Sequence, residues 1–196
     1  MSVIFGMHEA DKITIVADKR EYNSKTNEYN DNSQKLFVIH EHLCIAIAGN
    51  NAISKMVNLE INNYKQIKNG VITTDDLSNL LKTLYKRIIE KNPSILNYPF
   101  CCIYAGIDKN GKVSLVSGTR CREGYICRTV PQIIFTPADI EKQECDGILL
   151  KNYFMVRGDY PKNILLEVSA KSKFVSSCGD KWLFNIQKKQ GTFTQI

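Results

Sequence analysis

The apolar residues of the first fifty positions come in short runs broken by polar turns: SVIFG at 2–6, KITIVA at 12–17, KLFVI at 35–39 and LCIAIA at 43–48. Runs this short and this rich in β-branched residues predict strands, because branched side chains fit a pleated surface and a helix needs a longer 3.6-residue pattern. Between the second and third runs lies EYNSKTNEYNDNSQ at 21–34, too polar to bury much, which predicts exposed turns or a short edge hairpin. From Asn50 the period changes. Ile53, Met56, Val57, Ile61 and Tyr64 recur at helical spacing until Asn69-Gly70. A second helix is expected from Thr73 or Thr74, with Asp75 and Asp76 in its first turn, a stripe of Leu77, Leu80, Leu81, Leu84 and Ile88, and a stop at Asn92-Pro93.

Two further strands, FCCIYAGID and KVSLVSG, flank Asp108-Lys109-Asn110-Gly111, where the Asn-Gly pair predicts a tight hairpin with positive backbone angles. After GYICR and QIIF, a helix is expected over 138–154, and Pro161 opens another through Ile164, Leu165 and Val168. KWLFNIQ then places Trp182, Phe184 and Ile186 on one face, and GTFTQI can pair back across Lys189-Gln190-Gly191. The order is strands, two helices, strands, helices, strands. Segregated runs of this kind favour α+β layers, since each sheet face and helix stripe must be covered by another layer. The chain shows no internal repeat or long linker, and one domain over residues 1–196 is expected.

Composition narrows the function classes. At 196 residues, 43% apolar and 23% charged, the chain can bury a core without disulfides or a structural metal, and neither disorder nor a membrane protein is suggested. No apolar run approaches the roughly 20 residues that span a bilayer, and the opening lacks a basic-then-apolar leader, so a cytoplasmic location is expected. The net charge of +6 comes from lysines interspersed with acids, with no dense basic arm for nucleic acid. Seven cysteines form no C-x-x-C pair, and Cys44, Cys101 and Cys102 lie in apolar strand runs; reduced, mostly buried thiols are expected. His8, His40 and His42 have no metal-ligand spacing, so neither a metal nor a cofactor is expected.

Taken singly, Ser2, Asp18 and Lys35 have ordinary structural explanations; their order is more informative. A first strand begins at residue 2, a second ends in ADKR, a third is preceded by NDNSQK, and a fourth ends in IAGN. This order resembles the proteasome β-subunit family of N-terminal nucleophile hydrolases, including the bacterial peptidase that works as a simplified proteasome. The resemblance implies a four-layer αββα sandwich of two antiparallel sheets between helix layers. It places Ser2 on the nucleophile, normally threonine, Asp18 and Arg20 on the Asp-x-Arg of the second strand, and Lys35 on the buried catalytic lysine. Gly49 falls on the glycine whose N–H serves the oxyanion hole. The likeness continues through YAGID and covers roughly the first 120 residues. Beyond it, QIIFTPAD stands where the family has a Gly-Ser-Gly turn, and Ser176, Ser177 and Asp180 lie in the stretch of its later serine and aspartate.

These residue types suit one chemistry. A serine hydroxyl is a poor nucleophile near neutral pH, and the free α-amine of the same residue, with an ordinary pKa of about 7.7 to 8.0, can take its proton. A buried lysine beside it favours the alkoxide, an aspartate compensates that charge, and a glycine N–H steadies the oxyanion. Met1 must be removed first. The resemblance therefore implies an N-terminal-serine peptidase acting on peptides or proteins, in a homo-oligomer that can be a ring, with an ATPase partner implied by family likeness alone. The rival expectations are a weak or inactive proteasome-like scaffold and a small-molecule amidase.

Overall fold

The computed structural model describes residues 2–68, 70–97, 99–121, 124–155 and 159–196; Met1 and Asn69, and the Cys121 side chain, lie outside the described set. The chain begins with strands β1 (Ile4–His8) and β2 (Lys12–Asp18), then the small hairpin β3 (Glu21–Asn23) and β4 (Glu28–Asn30), then β5 (Leu36–His40) and β6 (Leu43–Gly49). Helices α1 (Asn51–Ile67) and α2 (Thr74–Lys91) follow, with a short 3-10 turn at Pro93–Asn97. Strands β7 (Phe100–Ile107), β8 (Val113–Cys121), β9 (Gly124–Thr129) and β10 (Gln132–Phe135) lead to helices α3 (Lys142–Met155) and α4 (Tyr160–Ser169). Strands β11 (Gly179–Asn185) and β12 (Gln190–Gln195) complete the chain.

Two five-stranded antiparallel sheets result, one ordered β10-β1-β2-β11-β12 and the other β5-β6-β7-β8-β9. Strand alternation gives each sheet two apolar faces, and three cores fill the spaces so formed. Ile4, Ile13, Ile15, Trp182 and Phe184 of the first sheet meet Leu36, Ala46, Ile103 and Leu115 of the second. On the outer face of the second sheet, Ile45, Ile47 and Tyr104 pack under Ile53, Val57 and Ile61 of α1 and Leu77, Leu81 and Leu84 of α2. On the outer face of the first, Val3, Phe5 and Val16 pack under Ile148 and Leu149 of α3 and Ile164 and Leu165 of α4. The architecture is the α+β αββα sandwich. Among the described residues no helix is long and apolar enough to cross a membrane.

The local chemistry explains most boundaries. Asn50 caps α1, its side chain accepting from the N–H groups of Ala52 and Ile53 at 2.9 and 3.3 Å. Thr73 and Asp76 form a reciprocal capping box on α2. Two details differ from the sequence expectation. Helix α3 starts at Lys142 instead of residue 138, because the Asp139 carboxylate accepts from Ser172 Oγ and the Lys173 N–H at 2.6 and 3.2 Å, which holds the preceding turn off the helix. At the β7–β8 turn only Gly111 has a positive φ, of 78°. Asp108 Oδ1 accepts from the N–H groups of Asn110 and Lys112, each at 2.8 Å, so an aspartate side chain closes a longer loop there.

Beneath the first turns of α2 lies a neutral polar cluster. Tyr104 and Ser78 share a hydrogen bond of 2.6 Å, Ser78 donates to the Thr74 carbonyl at 2.7 Å, Thr74 meets Ser114 at 3.3 Å, and Cys102 meets Tyr125 at 3.0 Å.

Candidate active site

The start of β1, the end of β2, the approach to β5 and the end of β6 converge at one edge of the sandwich. Ser2, Arg20, Lys35 and Gly49 all line a cleft there of about 610 Å³. Asp18 lies behind it and is fully buried. Its Oδ1 accepts from the Val3 N–H at 3.0 Å and from Lys35 Nζ at 2.9 Å. Its Oδ2 accepts from the N–H of Arg20 at 2.8 Å and that of Ser176 at 3.4 Å. One carboxylate thus ties the residue after Ser2, the buried lysine and the segment leading into β11 together.

Lys35 is 9% exposed, and its ammonium also donates to the Arg20 carbonyl. Burial pushes its pKa down against the pull of Asp18, and burial pushes the Asp18 carboxyl up against Lys35 and the backbone donors. Ser2 is 7% exposed, and among the described residues its hydroxyl makes no hydrogen bond; Lys35 and Asp18 are bonded to each other and to the neighbouring backbone.

Arg20 faces elsewhere. Its guanidinium grips Asp31 with two bonds of 2.6 and 2.7 Å, donates to the Lys173 carbonyl at 3.1 Å and lies over the Tyr29 ring. The hydrogen bond with Asp31 holds the Arg20 pKa above its usual value and the Asp31 carboxyl below its own. Arg20 therefore pins the β3–β4 hairpin to the far end of the chain.

Gly49 has φ of 126°, and a Cβ there would lie 2.1 Å from the Pro99 carbonyl oxygen, so only glycine fits. It leads directly into the N-terminus of α1, whose dipole directs partial positive charge at the cleft. QIIF is strand β10, the edge partner of β1, with Phe135 opposite Ile4.

The later segment reaches the site from a distance. Besides its N–H bond to Asp18, Ser176 accepts from the Lys19 N–H at 3.0 Å and donates to the Cys178 carbonyl at 2.7 Å. Asp180 is buried beside Lys19 Nζ at 3.2 Å, whereas Ser177 is exposed. Glu21, on the cleft wall, was not signalled by the sequence; its position directly after ADKR is the clue that could have singled it out. The thiols are poor competitors as nucleophiles: burial raises the pKa of Cys44 and Cys102, and that of Cys101 to about 12.

A family model described as proteasome subunit matches residues 2–122. No curated protein matches the chain.

Proposed function

The chain belongs to the proteasome subunit family, and from that premise we propose that it is an N-terminal-serine peptidase, with Ser2 as nucleophile once Met1 has been removed. The observation that carries this reading is the Lys35–Asp18 pair of 2.9 Å, buried at the back of the cleft that Ser2 enters, with Asp18 also holding the N–H of Val3. A buried ion pair contributes little net stability compared with apolar packing, so its position beside a terminal hydroxyl calls for a chemical role.

The freed α-amine of Ser2 accepts the hydroxyl proton as Oγ attacks a peptide carbonyl. The ammonium of Lys35 favours the alkoxide, and Asp18 holds that ammonium in place. The oxyanion forms at the Gly49 N–H, aided by the α1 N-terminus; loss of one such donor elsewhere costs about 2.7 to 4 kcal/mol of barrier. The amine then protonates the leaving group, and water releases the acyl enzyme by the reverse proton path.

The assembly proposed is a homo-oligomer, supported by the exposed Met56, Leu59 and Ile67 on α1 and Leu150, Phe154 and Leu166 on α3 and α4. Sedimentation at micromolar concentration tests it, a monomer counting against it. The function is tested with a panel of peptide amides offered to three proteins: one with a verified free Ser2, its Ser2→Ala variant, and a form retaining Met1. Hydrolysis by the first alone is expected. Equal activity in Ser2→Ala rejects Ser2, and inactivity of all three favours the scaffold reading.

A further inference from the structure

The cleft at Ser2 carries charge beyond the Lys35–Asp18 pair. Of its two site cations, Lys35 is bonded to Asp18 and Arg20 to Asp31, both acids standing outside the lining. Glu21 is the only acid among the described residues that line the cleft. Its two oxygens are held by neutral donors, Oε2 by the Ser33 hydroxyl and Oε1 by the Asn51 amide. Among the described residues no cation forms an ion pair with it. The carboxylate is therefore oriented by neutral donors, and the buried Lys35 ammonium acts on it only through space, without a bond. The remaining lining cation, Lys25, is exposed on the β3–β4 turn, where solvent screens it. Phe37 and Ile47, on adjacent strands, line the cleft with apolar surface, as do Tyr22 and Ala52, and pack on the core under α1.

Resting on the peptidase reading, we propose that this cleft selects a basic substrate side chain, lysine or arginine, beside the scissile bond, and that Glu21 is the specificity-determining residue. The aliphatic stem lies along Phe37 and Ile47 and the cationic head meets Glu21, an arrangement that suits side chains with an apolar body and a charged tip. Ser33 and Asn51 fix the carboxylate before the substrate arrives, so little ordering is needed on binding.

The probes are blocked tetrapeptide amides that differ only in carrying lysine, norleucine or glutamate at this position. Lysine and norleucine share a stem, so their ratio isolates the charge. Binding is read by fluorescence anisotropy on the Ser2→Ala protein, with and without Glu21→Gln, and hydrolysis of the same peptides on the free-Ser2 protein. The lysine peptide should bind about tenfold to a hundredfold tighter than norleucine, with glutamate weakest. Glu21→Gln, its fold checked by thermal melting, should bring the ratio close to one. Norleucine binding as tightly as lysine, a ratio untouched by a folded Glu21→Gln, or no binding of any peptide overturns the inference. Cleavage that favours norleucine removes the inference and leaves the peptidase reading standing. Lysine-selective binding without cleavage supports the inference and removes the peptidase reading.

Discussion

The two polar clusters of this sandwich are made of opposite materials. At the Ser2 edge the buried groups are ions, Asp18 and Lys35, with each Asp18 oxygen accepting two hydrogen bonds. Under α2 they are neutral hydroxyls, phenols and a thiol, joined in pairs between 2.6 and 3.3 Å. Neutral groups can be buried at modest cost once each has a partner, whereas a buried charge is tolerable only while its counter-charge is present. The neutral cluster fits a role in fixing how α2 sits on its sheet. The ionic one is a poor way to gain stability, and its location beside the terminal hydroxyl matches a chemical task.

The strongest way to break the comparison is to remove one ion. Lys35→Met leaves Asp18 buried and unpaired and should cost about 3 to 5 kcal/mol in urea unfolding, with loss of hydrolysis. Adding Asp18→Asn to it should restore much of the stability and none of the turnover. If the single variant is as stable as the parent, the ionic account of this edge fails.

The neutral cluster answers to shape. A Cβ on Gly118 would come within 2.6 Å of the Tyr125 oxygen and 2.7 Å of Cys102 Sγ. Gly118→Ala should therefore cost about 1 to 3 kcal/mol by overpacking, and hydrolysis at the opposite cluster should persist.

Alkaline titration separates the clusters by sign. Burial raises the Cys102 and Tyr125 pKa values above 9.0 and 10.0, so their contribution to stability is complete below those values and declines as pH climbs past them, when the unfolded chain ionises first. Burial lowers Lys35 below 10.5, so over that window the unfolded chain holds the extra proton and stability linked to Lys35 rises with pH. Unfolding free energies between about pH 8 and 11 should fall less steeply in Tyr125→Phe than in the parent. They should fall more steeply in Lys35→Met.

The smallest effect belongs to the cap above the neutral cluster. Although burial raises the Asp76 pKa, hydrogen bonds from Lys68 and Thr73 outweigh it and hold the value at about 2 against an ordinary 3.8. Its contribution is therefore present above 3.8 and lost as pH falls through about 2. Asp76→Asn should cost about 1 kcal/mol at neutral pH, measured by thermal melting, and the difference should vanish in strong acid.

Much of the architecture was legible because it is written locally. The stripe of Leu77, Leu81 and Leu84 is buried against the second sheet, and the polar stretch after Arg20 forms an edge hairpin. Helix α3 was harder: its start depends on Asp139 being taken by Ser172, 33 residues on, a contact that no periodicity encodes. At the candidate site, the placing of Ser2, Asp18, Lys35 and Gly49 came from the order of short motifs. The bond from Ser176 to Asp18 spans 158 positions and arises from the pairing of β11 with β2, which only the folded topology supplies. Glu21 escaped notice for a related reason. Its meaning lies in Ser33 and Asn51, which the fold brings to it from two other segments.

The burial of Ser2 at the start of β1 turns the proposed maturation into a question of timing. Strand β1 is flanked by β2, which leaves the ribosome almost at once, and by β10, which is made about 130 residues later. At about 5 to 20 residues per second, that interval is roughly 6 to 25 seconds. On the proposed reading, an aminopeptidase that trims Met1 would have about that interval before β10 pairs with Ile4 to Met7 and fixes the strand that follows Ser2. Slowing the aminopeptidase, or speeding synthesis of the first 135 residues, would then leave a larger share of chains folded around a blocked amine. On that reading, the yield of active centres would be decided by a race on the ribosome, before any substrate is met.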